Sequence, residues 1–117
     1  MSFDIYKLAK RQLSDFRLMS PGTCFEDPTF QLDEKSAYSL QDEVMRLRTK
    51  QGERVAGYKV GCTGSGTTRL FGIAGPIRGT LFENELHSNG VELEYHSFCN
   101  LAVEAEMAIK IGEKNKI

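Results

Sequence analysis

Residues 55–60 read Val-Ala-Gly-Tyr-Lys-Val, and they decide the fold because the spacing of the apolar side chains changes here. Before Gly52 the apolar residues recur every three or four positions, as on a helix, whereas from Val55 they alternate, as on a strand. One face of the predicted strand carries Ala56, Tyr58 and Val60. The other face carries Val55, Gly57 and Lys59, so that the lysine lies beside a small neighbour.

Two amphipathic helices are predicted upstream of this strand. The first spans about Phe3 to Leu18 and ends at Pro21-Gly22. Its apolar stripe consists of Phe3, Tyr6, Ala9, Leu13 and Phe16. Residues 20–31 contain two of the three prolines and show no period, which predicts a loop. The second helix starts after Asp33, a suitable N-cap, and runs to Gly52. Its stripe consists of Ala37, Leu40, Val44 and Leu47.

Short elements are predicted downstream of the strand. Residues 61–66 form a glycine-rich turn, and a short helix over 67–71 ends at Gly72. The turn lacks both the spacing and the closing Lys-Ser/Thr of a phosphate-binding loop, which argues against nucleotide binding. Residues 78–82 form another strand, Ser88-Asn89-Gly90 a hairpin turn, and residues 91–95 its return strand. Two helices followed by strands of a mixed or antiparallel sheet define an α+β chain.

The segment Leu101–Ile111 has two acids on one side of an alternating pattern. In a strand Glu104 and Glu106 share a face, with side chains starting roughly 7 Å apart, so their oxygens can converge on one hard divalent cation. The alternative is an amphipathic edge strand with a solvated polar face, on which Lys110 pairs with Glu106. The pattern alone leaves both interpretations open.

The composition argues against several classes of partner and location. The chain has 117 residues, a formal net charge of −1 and 26% charged residues, which gives no electrostatic reason to expect nucleic acid or an anionic membrane as a partner. No stretch is long and apolar enough to span a bilayer, and the N-terminus lacks a signal-peptide pattern, which predicts a cytoplasmic protein. Cys24, Cys62 and Cys99 are odd in number and widely spaced, as expected of reduced thiols.

The domain organisation predicted is a single domain over 1–117, helical over 1–52 and β-rich over 53–117. The polar residues 113–116 suggest a turn, and Ile117 would be the first apolar residue of a next strand. We therefore expect the domain to be incomplete at this end.

The order of the motifs resembles the 2-keto-4-pentenoate hydratases and their relatives, the 2-oxo-hepta-diene-dioate hydratases and 4-oxalocrotonate decarboxylases, in the fumarylacetoacetate hydrolase superfamily. The resemblance covers about Asp33 to Gly112 and corresponds to the N-terminal portion of such an enzyme. It rests on Gly-Tyr-Lys-Val-Gly-Cys-Thr at 57–63, Pro76, Gly-Thr-Leu-Phe at 79–82, Gly90 and Val-Glu-Ala-Glu-Met-Ala at 103–108.

The resemblance implies a set of site residues. Glu104 and Glu106 would ligate Mg²⁺ or Mn²⁺, and a third metal-binding carboxylate of the family lies on a segment that this sequence does not contain. Lys59 would lie beside the substrate, and we expect it to carry a proton in the reaction, which as a base would require a pKa depressed toward neutrality. Thr63 and Leu81 are expected near the pocket, and Arg69 could meet a distal carboxylate of the substrate.

The function implied is hydration of a small 2-hydroxydienoic or 2-keto acid in aromatic-compound catabolism, by a lyase that is a homo-oligomer at full length. Decarboxylation and acylpyruvate hydrolysis share the same metal-enolate chemistry and stay open. A different class also stays open, namely a non-catalytic interaction module that recruits a partner through an exposed strand edge.

Overall fold

The computed structural model describes residues 4–112, and within them the chain is a small α+β structure, as predicted. Its regular elements, in chain order, are α1 (Ile5–Arg17), α2 (Glu34–Lys50), β1 (Val55–Gly61), α3 (Ser65–Phe71) and β2 (Ile77–Phe82). Single turns of 3₁₀ helix occur at Thr23–Phe25, Glu83–Glu85 and Tyr95–Ser97. No helix among the described residues is long and apolar enough to cross a membrane.

Both long helices begin at an aspartate that caps them. Asp4 accepts a hydrogen bond of 3.0 Å from the backbone N–H of Lys7, and Asp33 accepts one of 2.6 Å from that of Ser36. The predicted N-cap of α2 is therefore confirmed. The first helix starts two residues later than predicted, and Phe3 lies outside the described residues.

The core lies between α1 and α2. Its buried members are Ala9, Leu13, Leu40 and Leu47, with Leu8, Leu32 and Val44 packed against them. The stripe predicted for α1 is only partly buried, because Tyr6 and Phe16 are exposed. A single neighbouring helix covers only a narrow strip of α1, so the residues at the margin of the stripe stay in contact with solvent.

The sheet consists of β1 and β2, paired antiparallel. Lys59 is opposite Gly79 and Gly57 is opposite Leu81, whereas Val55 is opposite Phe82, so the ladder has a bulge between Val55 and Gly57. Residues opposite each other share a face, and successive residues of β2 alternate. The prediction that Val55 shares the face of Lys59 is therefore wrong, because the extra residue changes the phase of the alternation.

Helix α2 packs along β2 on the face away from Lys59. The Tyr38 hydroxyl accepts a hydrogen bond of 3.3 Å from the Arg78 N–H, and the Gln41 side-chain amide donates one of 3.1 Å to the Arg78 carbonyl. Farther along, Thr80 contacts the sulfur of Met45 at 3.7 Å. These contacts hold β2 against α2, whereas Tyr58 and Val60 of β1, on the same face, stay exposed. None of them lies on the Lys59 face.

Two predicted strands do not form. The turn before residue 91 is confirmed, since the Val91 N–H bonds to the Ser88 carbonyl at 3.2 Å and Gly90 has a positive φ of 83°. However, neither residues 91–95 nor residues 101–111 form a strand. A strand requires a neighbour for its backbone groups, and none of the described residues lies beside either segment as a paired strand. The predicted turn at 113–116 and the strand at Ile117 lie outside the described residues.

Candidate functional site

Lys59 lies near the middle of β1 on a face made mostly of glycine. Gly57 and Gly61 flank it on its own strand, and Gly79 lies opposite it on β2. A Cβ atom built on Gly57 or Gly79 would meet no other atom within 4 Å. The lysine side chain therefore has open space beside it, above Gly57 on its own strand and above Gly79 on β2.

Two carboxylates converge on the Lys59 ammonium. Its Nζ donates hydrogen bonds of 2.8 Å to Oε2 of Glu104 and 2.6 Å to Oε1 of Glu106. The exposed fractions of the three side chains are 41% for Lys59, 69% for Glu104 and 46% for Glu106. Both acids therefore meet on one cation, although the strand on which they were predicted to share a face does not form.

The cluster holds its lysine in the charged state. The hydrogen bonds to Glu104 and then to Glu106 raise the pKa of Lys59 to about 12. In return, the hydrogen bond from Lys59 lowers the pKa of Glu104 below its ordinary value. A lysine that acts as a base needs the opposite shift. In this arrangement Lys59 is a cation and a hydrogen-bond donor at neutral pH.

The two acids fit a hard divalent cation as a partial ligand set. Their oxygens already converge on one positive centre, and carboxylate oxygens are the ligands that Mg²⁺ and Mn²⁺ prefer. Within residues 4–112 no group of three or more His, Cys, Asp or Glu side chains could hold a metal ion. Glu104 and Glu106 would therefore supply two protein ligands, with water or substrate at the other positions.

The remaining predicted residues differ in their relation to the cluster. Leu81 is half-buried and, as the partner of Gly57, lies on the same face of the sheet as Lys59. Thr63 is exposed in the turn after β1, and Arg69 is exposed on α3. Neither Thr63 nor Arg69 forms a hydrogen bond or ion pair with the cluster in the part of the chain that the structure describes.

The direct pairing of Lys59 with the acids was missed by the sequence reasoning, which considered Lys110 as the partner of Glu106. Glu106 pairs instead with a residue 47 positions away in the sequence. The sequence offered only the opposite charges of Lys59 and the two acids, which do not specify a partner. Gly79, opposite Lys59, belongs to the Gly-Thr-Leu-Phe motif at 79–82 but was not predicted to lie at the site.

Comparisons with known proteins point to hydratases. The chain is 34% identical over 77 residues to a 2-keto-4-pentenoate hydratase of Burkholderia vietnamiensis, and these residues make up 66% of this chain and 29% of that protein. It is 31% identical over 88 residues to a 2-keto-4-pentenoate hydratase of Paraburkholderia phymatum, covering 71% of this chain and 34% of the relative. A hydratase of Pseudomonas putida named "TodF product hydratase" is 29% identical over 80 residues, covering 68% and 30%.

These matches support the 2-keto-4-pentenoate hydratase family and confirm the resemblance found in the motifs. No family model matches the chain. The chain spans about a third of the length of the curated relatives that it matches.

Proposed function

We propose that this chain carries the lysine and two metal ligands of a divalent-metal-dependent hydratase for 2-hydroxypenta-2,4-dienoate or a related 2-keto acid. The observation that carries the proposal is the contact of one ammonium, that of Lys59, with both Glu104 and Glu106. Residues far apart in the sequence meet on an open glycine face, and relatives named as hydratases support the reaction class.

Glu104 and Glu106 would hold Mg²⁺ or Mn²⁺. When bound, the ion supplies a Lewis acid for the 2-oxygen of the substrate and a template for the adjacent carboxylate. The hydrogen bond from Lys59 lowers the pKa of Glu104, which favours the carboxylate form that a metal ligand needs.

Lys59 is the proton carrier of the proposal. It holds a proton on Nζ at neutral pH. When the 2-hydroxy form of the substrate becomes the 2-keto form, Nζ would give its proton to carbon and regain one from the 2-hydroxyl group. The ammonium also attracts an anionic substrate. The open space above Gly57 and Gly79 gives a small planar acid room to approach Nζ, and Leu81 offers it an apolar neighbour on the same face.

A second candidate is the non-catalytic interaction module. It is favoured by the exposure of the apolar residues between 101 and 111, of which Val103 is 90% exposed and Met107 93% exposed. Unpaired backbone beside such residues can add to the edge of another sheet. A homo-oligomeric assembly and a cytoplasmic location stay predictions under either candidate.

The test incubates the 117-residue chain with 2-hydroxypenta-2,4-dienoate and Mg²⁺ or Mn²⁺ and follows the loss of dienol absorbance. The variants Lys59→Ala, Glu104→Gln and Glu106→Gln should each lose most of the turnover, whereas Lys110→Ala is the matched control and should keep it. The product separates the reactions, because hydration gives a hydroxylated keto acid and decarboxylation releases CO₂.

Absence of turnover in the parent chain with either metal would contradict the proposal. Size-exclusion chromatography with light scattering then tests the second candidate. An inactive chain that elutes as a monomer even at high protein concentration would also contradict pairing of the exposed segment with a second copy of the chain.

A further inference from the structure

We propose that the Lys59 ammonium is a built-in counter-ion which occupies the cation position between Glu104 and Glu106, and that a divalent cation binds this pair by displacing it. The inference rests on the proposed function and adds to it a competition between a residue of the chain and the metal.

The argument starts from the geometry of the contact. Nζ lies 2.8 Å from an oxygen of Glu104 and 2.6 Å from an oxygen of Glu106. A hard divalent cation bound by the same two oxygens would lie about 2.0–2.6 Å from each. The ion and the ammonium would therefore take nearly the same position, and both are positively charged. They exclude each other by volume and by charge.

The space around Lys59 allows the exchange. A Cβ atom built on Gly57 or Gly79 would have no other atom within 4 Å. The flexible lysine side chain can therefore move over these two glycines without a clash. The side chain is already 41% exposed, and water can solvate the ammonium after it leaves the acids. A displaced Lys59 stays on the same face as the cluster.

Charge balance favours a cation between Glu104 and Glu106. Two carboxylates that converge on one point repel each other when nothing positive lies between them. Lys59 neutralises one of the two charges, and a divalent cation would neutralise both. The chain without metal thus keeps its acids together, and binding of the ion frees the lysine in the same event. Only the metal-bound chain would offer an unpaired Lys59 to an anionic ligand.

The test measures Mn²⁺ affinity by water-proton relaxation, without any assay of activity. The variant Lys59→Met removes the ammonium and keeps the length of the stem, and we expect it to bind Mn²⁺ about tenfold more tightly, as loss of two exposed ion pairs would allow. Lys110→Met removes the same charge from the same segment as the acids and should change the affinity far less. Lys59→Gln gives a second variant with a polar, uncharged side chain, and circular dichroism checks that each variant folds.

Equal affinities of the parent, Lys59→Met and Lys59→Gln would overturn the displacement and leave the metal site of the proposed function standing. An equal gain in Lys59→Met and Lys110→Met would also overturn it, because the effect would then be one of overall charge. Absence of Mn²⁺ binding in the parent and in all variants would overturn both the displacement and the metal ligands of the proposed function.

Discussion

The guanidinium carbon of Arg48 lies 3.6 Å from the centre of the Phe82 ring, and this contact joins α2 to the end of β2. Phe82 is 2% exposed. The same guanidinium bonds Glu53 at 2.5 Å, just before β1, and Glu85 at 2.8 Å, just after β2. One buried cation therefore connects the helical layer to both strands of the sheet that carries the site.

Replacement of Arg48 by Met should destabilise the fold by about 3 kcal/mol, because it leaves Glu53 and Glu85 facing each other without their shared cation. Arg46→Met is the matched control, since Arg46, which pairs with Glu43 on the same helix, is itself 53% exposed and its loss should matter little. Urea unfolding measures both. Equal losses in the two variants would show that the Arg48 network adds nothing beyond a surface ion pair.

Acid should weaken the same network. The hydrogen bond from Arg48 is the main cause that lowers the pKa of Glu53 below its ordinary value of 4.5. A depressed pKa means that the stabilisation is present above the pKa of the unfolded chain and is lost as the pH falls through the folded pKa. Glu53→Gln should therefore cost about 1–2 kcal/mol at pH 7 and less at pH 3, which lies below the ordinary pKa of this carboxyl.

The measurement for Glu53 is the free energy of unfolding of parent and variant across this pH range. Glu83→Gln is the control, because Glu83 pairs with Arg54 where both side chains are at least half exposed. A gap between parent and Glu53→Gln that is the same at pH 3 and pH 7 would disprove the linkage.

Gly66 in α3 and Gly72 directly after it should respond in opposite directions to alanine. Gly72 ends the helix with φ of 64°, and Gly66 lies inside it; a side chain at either position meets open space. Gly72→Ala should destabilise by about 1 kcal/mol through backbone strain alone, whereas Gly66→Ala should stabilise by about 0.5 kcal/mol. Thermal unfolding of the pair checks this. A stabilising Gly72→Ala would contradict the left-handed end of α3.

A side chain at Gly79 should block the site without harming the fold. We expect oxalate, which chelates as a 2-keto acid does, to strengthen Mn²⁺ binding to the parent chain. Gly79→Val fills the space opposite Lys59 and should remove most of this gain, while its melting temperature stays close to that of the parent. Val60→Thr alters the opposite face of β1 and should leave the gain intact. The idea fails if oxalate acts equally on both variants.

The sequence predicted the local structure where the determinants are local. Asp33 caps α2 through its own third neighbour, Gly72 ends α3 through its own φ, and the alternation from Gly57 to Gly61 holds in β1. The prediction was wrong where an element needs a neighbouring strand to form. The residues from 101 to 111 alternate as a strand does, but alternation supplies no partner for the backbone.

The candidate site was predicted in part for the same reason. Alternation is enough to put Glu104 and Glu106 on one side of their segment, and their shared contact agrees with it. It says nothing about which cation faces them. The pairing with Lys59 depends on a long-range approach of residues 45 and 47 positions apart, which no local pattern encodes.

The bulge between Val55 and Gly57 makes the strand register at the site independent of the exact length of the connection that follows α2. Residues 57–61 keep step with 77–81, and the unpaired Ala56 absorbs the mismatch with Val55 and Phe82. If the chain were one residue shorter here, the bulge could be removed by pairing without Ala56, and Lys59 would still lie opposite Gly79. We therefore expect insertions and deletions in this connection to be tolerated more readily than those between Gly57 and Gly61, where a shift of one residue would turn Tyr58 toward the two acids.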